Sequence, residues 1–597
     1  MSSFASRETF PKPVDEYKVL SYLGSNLVIC EGEAWRRQRR IGAPAFSKGM
    51  FERLWLDMRD IVREMVEQER WYERTALHFD EPVASSHGYT PKRGEVLVPH
   101  IVDLTLRMAL AAIARAGFGM DFQWEAEESF TRVCQGFGNP QRWYWWLVVL
   151  HYSWAFLDPL LAPFSHLFDQ ISAFTPTFVT APFVYLWHSV IFLPLRIVWA
   201  IIFYFVSEIA VAFARPTDAD WNPRKIKVHE ALHLVAKDST LRIALPAWTM
   251  RLPLRRMRRM RLAFTTLEAE LRRLADERKA FHLRQTLNNE QLSTGRIRDD
   301  RSDLLNNLVR AAMLDEGDLE KGQTSSLVTS SIQKGLSDEE IIGNTYIYFL
   351  AGHETTAHSL AWTLALLAAY PEYQDEALRE INQVWPSTSA SFEPFYENTS
   401  FDDYAKFPYV LACYSETLRL FPPVQMIPKI AAQDVSISVE TSNEAPVAAE
   451  SSDSKSFKEF DPFFTAKESY TSAPQTNFVV KKDTIIMIDP PGVHYNPRYW
   501  ENPDKFDPGR FMRAYNKDAY IPFGVGHRAC LGRKFSEVES VAMLIHLLRN
   551  YSVHLLPTSP DGSVDVDLAR QKFSKASVRI TLTPADVPLI FRRRVHA

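Results

Sequence analysis

"FGVGHRACLGRKF", Phe523 to Phe535, places one cysteine, Cys530, in a glycine-rich turn between Arg528 and Arg533. Thiolate is the metal-binding form of cysteine, and nearby positive charge favours it. Gly524, Gly526 and Gly532 let backbone pass close to a flat, bulky partner. Arg528 offers a carboxylate a bidentate contact. A soft anionic ligand, close backbone approach and a carboxylate clamp together describe a haem site with an axial cysteine. Taken alone, Cys530 reads as an inert cysteine near a turn. The spacing Phe523, Gly526, Arg528, Cys530, Gly532 is what singles it out.

The rest of the chain sets the frame. It has 597 residues, 46% hydrophobic and 23% charged, so a large globular core is available. A formal net charge of -4 gives no global field for nucleic acid. The four cysteines, Cys30, Cys134, Cys413 and Cys530, are scattered without a CxxC pair. That suits a reducing compartment and argues against a four-cysteine zinc or iron–sulfur site. The start, "MSSFASRETFPKPVDEYKVL", has no long apolar run, so neither a signal peptide nor an anchor helix is expected there.

Residues 33–69 have amphipathic helical spacing, broken at "GAPAFSKGM", and Ile101 to Phe118 reads as an apolar-rich helix ending at Gly119. Residues 141–214 are dense in aromatic and branched apolar side chains. The run 181–213 is long enough for a bilayer, where roughly 20 apolar residues suffice, but Pro194, Arg196 and Glu208 interrupt it. It reads either as a membrane-embedded helix or as a buried or interfacial helical hairpin. "RLPLRRMRRMR", with six arginines in eleven positions, leads into the helix "TLEAELRRLADERKAF"; its cations face solvent, anionic lipid or a partner. Residues 285–336 read as mobile.

"LSDEEIIGNTYIYFLAGHETTAHSLAWTLALLAAYP" reads as one helix, opened by a capping box of Ser337 and Glu340 and stopped by Pro371. At about 1.5 Å per residue it spans roughly 50 Å and crosses the core. Within it, His353 and His358 diverge by roughly 140° at about 100° per residue, so a zinc-protease reading of "HETTAH" fails. Residues 441–476, rich in Ser, Thr, Ala, Glu and Pro, read as a disordered insert between the strand-like "VSISV" and "NFVVKKDTIIMID".

"FGVGHRACLG" resembles the haem-binding loop of the cytochrome P450 family at each of its characteristic positions. The resemblance implies that Cys530 is the proximal thiolate ligand of haem b, with Phe523, Gly526, Arg528 and Gly532 shaping the cofactor site and Arg528 binding a propionate. "YSETLRLFPP" is similar to the family's Glu-x-x-Arg, giving Glu416 and Arg419 as a buried structural pair, and "NPDKFDPGRF" offers Arg510 as the later arginine that joins it. Gly509 stands where a glutamate is often found. "AGHETT" resembles the oxygen-pocket turn: Ala351 and Gly352 face the haem, and Glu354 and Thr355 deliver protons to dioxygen. "EGEAWRRQRRIGAPAF" resembles the helix at the haem edge, with Trp35 and Arg39 as propionate donors. "PGVHYNPRYWENPDKFDPGRF" is similar to fungal microsomal members.

The resemblance implies a mainly α fold with small β-sheets around a central long helix and a buried haem. It implies one domain over 1–597 with two insertions, an apolar one at 124–225 that is a candidate for membrane contact and a disordered one at 441–476. It runs from about Tyr22, so the chain reads as short at its N-terminus, without the family's anchor, early helix and most of a small sheet. The implied function is a monooxygenase using O2, a separate NADPH-cytochrome reductase and an apolar small-molecule substrate, at the cytosolic face of the endoplasmic reticulum membrane, with membrane contact through 181–213. Val424 and Met426 in "PPVQMIPK" are candidate substrate walls. Two other functions stay open: a haem-binding form without turnover, and a thiolate-haem isomerase or dehydratase.

Overall fold

Periodicity and capping lay out the first layer. Helix α1 (Gly32–Gly42) buries Trp35, Gln38 and Ile41. A 3-10 turn at Ala43–Ala45, carrying Pro44, separates it from α2 (Lys48–Gln68). Ser47 caps α2 by accepting the Met50 N–H, and Met50, Leu54, Met58, Ile61 and Met65 recur on its buried face at helical spacing. Strand β1 (Glu95–Val98) precedes α3 (Ile101–Ala112), which continues through a π-helical turn, Ile113–Gly117, and stops at Gly119 with φ 60°.

The computed structural model describes residues 9–71, 94–120, 255–291, 303–320, 335–386, 399–440 and 475–594, with gaps at 560–562, 579–580 and 586, and isolated positions within 89–92, 122–124 and 228–250. The runs 181–213 and 441–474 and, beyond Trp124, the rest of the proposed insertion 124–225 lie outside the described residues. Among the described residues no helix is long and apolar enough to cross a membrane.

Four helices follow: α4 (Arg255–Gln291), α5 (Leu304–Glu320), α6 (Asp338–Ala369) and α7 (Pro371–Val384). Helix α5 corrects the reading of 285–336 as wholly mobile. Leu304, Leu305, Leu308 and Val309 fall on one helical face and are buried, although polar flanks dilute the signal. In α6, the Ser337 hydroxyl accepts the Glu340 N–H and the Glu340 carboxylate accepts the Ser337 N–H, a complete capping box. Pro371 opens α7 rather than continuing α6. Beyond its first two residues α6 is buried except at Tyr348, Ala351, Gly352, Glu354 and Thr355. A helix buried on all sides is a core element; this one packs on α3, α4 and α8 (Pro408–Leu420).

The sheets are small and antiparallel. Strand β2 (Ile427–Ile430) pairs with β5 (Ile485–Ile488), and β3 (Val435–Glu440) with β4 (Gln475–Val480), Val435 opposite Val480. Gln475 and Thr476, read as the end of the disordered insert, therefore belong to a strand. Residues 9–11 run beside β2: the Ile430 and Ala432 N–H groups donate to the carbonyls of Pro11 and Thr9, each at 3.0 Å. Helix α9 (Arg533–Asn550) follows the cysteine turn and packs on α2 and α8. Strand β6 (Tyr551–Leu555), the pair β7 (Ala576–Val578) and β8 (Leu582–Pro584), and β9 (Leu589–Arg593) close the chain, β9 lying between β1 and β6.

Candidate active site

The cysteine turn is closed by its own backbone. The Cys530 N–H donates to the Phe523 carbonyl at 2.9 Å. Gly524 and Gly526 lie at φ 70° and 69°, in the left-handed region that side chains disfavour. A Cβ at Gly532 would make only ordinary contact, 3.8 Å, with the Cys530 sulfur. Cys530 is solvent-accessible, yet protein surrounds it closely enough that burial pushes its thiol up. The Gly532 N–H, the Arg39 charge and the N–H and charge of Arg533 oppose that shift.

Helix α1 lies against this turn. Arg39 Nη1 donates to the Ala529 carbonyl at 2.9 Å. Trp35 is buried, edge-on to His527 at 5.2 Å, with the Arg528 guanidinium 4.4 Å from its ring centre. Arg528 is more committed than the sequence implied. Its Nη2 pairs with Glu31 at 2.6 Å and donates to the Cys30 carbonyl at 2.6 Å; its Nη1 donates to the Leu27 carbonyl at 3.1 Å. Only Nε is buried without an acceptor. A two-pronged grip on an outside carboxylate is thus unavailable in this arrangement.

At the middle of α6, Ala351 is exposed and Gly352, Glu354 and Thr355 are partly so. The Thr355 hydroxyl donates to the Ala351 carbonyl one turn back at 2.7 Å. A Cβ on Gly352 would make only ordinary contact, 3.5 Å, with the Ile113 side chain, so protein neighbours do not demand the glycine. Thr356 donates to Ser536 at 3.2 Å, and Ser536 shares a 2.7 Å bond with the Tyr414 hydroxyl. Burial pushes the Tyr414 phenol up to about 12. His353 donates from Nδ1 to the Phe349 carbonyl, and His358 bonds Thr581. The two rings serve different neighbours, and the described residues contain no cluster suited to a metal ion.

The Glu416–Arg419 pair is fully buried. Arg419 donates from Nε and Nη2 to the carboxylate at 2.7 and 2.8 Å, and to the carbonyls of His494 and Lys505 at 2.8 and 3.1 Å. Arg510 Nε reaches the same carboxylate at 3.3 Å, and the Asp507 N–H at 3.0 Å. Burial pushes Glu416 up despite these partners. His494, unmarked in the sequence, is buried: its Nδ1 donates to the Arg419 carbonyl at 3.0 Å and its Nε2 accepts the Ile521 N–H at 2.9 Å. Burial lowers it to about 4. It joins the arginine helix to the segment before the cysteine turn. Glu31, Ser536, Tyr414 and the buried Lys429 are further residues that motif reading missed.

A flat, doubly carboxylated group fits these residues. The buried Arg528 Nε has no protein acceptor, Cys530 is solvent-accessible, and the buried central helix is exposed around its middle, at Ala351 to Thr355.

The comparisons with known proteins converge. A sequence model described as Cytochrome P450 matches residues 203–439 and 462–581, more than half of the chain. Cytochrome P450 monooxygenase 124 of Postia placenta is 29% identical over 590 residues, spanning 99% of this chain and 80% of the relative. Cytochrome P450 monooxygenase prx9 of Penicillium rubens is 22% identical over 617 residues, 98% and 77% of the two chains. The crystal structure of the cytochrome P450DA heme domain superposes with a TM-score of 0.53 at 16% identity, covering 100% of this chain and 86% of that one, which supports the fold alone.

Proposed function

The chain belongs to the cytochrome P450 family, and on that premise we propose that it inserts one oxygen atom of O2 into an apolar organic substrate, with electrons from a separate NADPH-dependent reductase. The observation that carries the reading is how closely the motifs are tied to one cysteine turn. Arg39 bonds the carbonyl next to Cys530, and Ser536, six residues past Cys530, bonds Thr356, the neighbour of Thr355.

Haem b, held by the Cys530 thiolate, supplies the oxygen-activating chemistry when bound. Each protein group then has a task. Cys530 would have to lose its proton to bind iron; burial holds the thiol up, and the N–H groups and cations around it offset part of that shift. Trp35, Arg39 and Arg528 would hold the haem carboxylates, and Ala351 and the side-chain-free Gly352 would leave space for substrate. Thr355 holds a proton at Oγ1, now on the Ala351 carbonyl; Glu354, partly exposed beside it, replenishes that proton from solvent. This relay favours oxygen activation over peroxide isomerisation. Val424 and Met426, 40% and 60% exposed after α8, offer apolar surface to a substrate.

The test is the reduced, carbon monoxide-bound absorption spectrum of the purified chain. The expected result is a strongly red-shifted Soret band that is lost in Cys530→Ala. A parent chain with no such band, or a band that survives the substitution, refutes the assignment. Residence at the cytosolic face of the endoplasmic reticulum, with contact through 181–213, belongs to the same proposal. Carbonate-resistant membrane association that is unchanged on deleting 140–214 would sink that part.

A further inference from the structure

We propose that Glu31 is the positioning residue of Arg528: by holding the outer Nη2, beside the backbone carbonyls on the same edge, it aims the inner Nε–H at the incoming haem carboxylate. This rests on the haem reading above. The supporting scaffold is rigid and polar. Leu27, Cys30 and Glu31 belong to one turn that meets Arg528 three times, through two carbonyls and one carboxylate. That turn is itself pinned. Asn26 accepts the Val28 and Ile29 N–H groups at 3.1 and 3.3 Å, and Asn344 on α6 accepts the Leu27 N–H at 2.9 Å. Glu31 is held from the other side by the Lys12 N–H at 3.0 Å. Lys12 in turn donates from Nζ to the Val28 carbonyl at 2.7 Å and sits 3.4 Å from the centre of the Tyr17 ring.

With the Nη edge fixed on this turn and one guanidinium face against Trp35, the Nε edge has one direction left. It is buried and has no acceptor there. The charges around it agree. Lys12, Lys429 and Arg528 act on one another electrostatically, with Glu31 as the carboxylate among them. Burial pushes Glu31 up, but the Arg528 bond and charge outweigh it and hold the carboxyl below its ordinary range. Burial and then the Arg528 charge lower Lys12 to about 7, and burial lowers Lys429 as well, so positive charge is crowded here and an added carboxylate would relieve it. The competing possibility is that Glu31 merely occupies Arg528 and must be displaced. The two have opposite consequences. A positioning carboxylate slows haem loss, whereas a competing one hastens it.

The experiment is haem transfer from the full-length holoprotein to excess apomyoglobin, followed at the Soret band, for wild type, E31Q, R528A and E31Q/R528A. Positioning predicts about tenfold faster loss in E31Q, the scale of one charge-assisted hydrogen bond. It also predicts that the double variant loses haem within about twofold of R528A, because Glu31 acts only through Arg528. A carbon monoxide complex with an unchanged thiolate-type band in E31Q shows that the cysteine side is intact. Equal or slower loss in E31Q overturns the proposal, and so does full additivity, the mark of a general structural role. A wild-type chain that takes up no haem overturns the functional reading and this inference together; uptake with indifferent E31Q overturns this inference alone.

Discussion

Glu416→Ala should be among the most damaging substitutions in the chain, and a second substitution should partly undo it. The carboxylate accepts from Arg419 Nε and Nη2, from Arg510 and from the Asp507 N–H. Its removal leaves Arg419, with a side chain 0% exposed, holding two carbonyls and no anion. Breaking one half of a buried ion pair costs about 3–5 kcal/mol, against a typical total stability of about 5–15 kcal/mol. Yet the pair as a whole contributes much less. Burial raises the Glu416 carboxyl in spite of two arginines, so desolvation consumes most of what the attraction supplies. Removing both charges in E416M/R419M should therefore cost less than E416A alone, leaving unmet the carbonyls of His494 and Lys505, the Asp507 N–H and the Arg510 Nε. Urea unfolding followed by tryptophan fluorescence gives the midpoints; with a slope of several kcal/mol per molar for a chain this long, E416A should fall by about 1 M. A midpoint within about 0.2 M of wild type refutes the cost of the orphaned arginine. A double variant worse than E416A refutes the desolvation argument.

Two further outcomes follow from buried polar groups. His353 and His494 are lowered by burial to about 4 and His546 to about 3. The folded state thus binds fewer protons than the unfolded one below about pH 6.5, so stability is full above that pH and is lost as pH falls toward about 4. Thermal midpoints should drop between pH 7 and pH 5, less steeply in His494→Gln, and a flat profile or an unaltered slope in the variant would contradict this. Ser536→Ala breaks the hydroxyl junction between Thr356 and Tyr414 and should cost about 1–3 kcal/mol; T356V/S536A should cost less than the two single losses combined, because they share one bond, and strict additivity in thermal unfolding would exclude the junction.

Legibility in the sequence tracks how local each signal is. Helix α6 is readable because its cap, apolar run and Pro371 stop lie in one continuous segment. The cysteine turn is readable because Gly524 and Gly526 take positive φ just before the cysteine, a local need that glycine meets. Helix α5 is hidden because its buried stripe is short and its surroundings polar. The partners of the functional side chains are hidden for another reason: Glu31 is 497 residues from Arg528, Thr356 is 180 from Ser536, and His494 is 27 from the Ile521 N–H. Each is an ordinary polar residue until the chain closes, and no periodicity marks it.

The arginines show why that closure matters for function. Arg419, Arg510 and Arg528 are the same residue type, each singled out by a motif, and each contacts a glutamate. They differ in what their donors lack. Arg419 spends Nε, Nη1 and Nη2 on protein acceptors and is wholly buried, so nothing remains for a ligand. Arg510 divides its guanidinium between Glu416 and the Asn502 carbonyl, joining two segments of one core. Arg528 keeps a buried N–H with no protein acceptor, two residues before the solvent-accessible Cys530. A buried donor without a partner costs about 1–3 kcal/mol, and a folded chain retains that cost where a ligand relieves it. By this criterion Arg419 and Arg510 hold the protein together, and Arg528 keeps a donor for the haem carboxylate proposed above, a distinction that rests on individual N–H groups rather than on the motif that contains them.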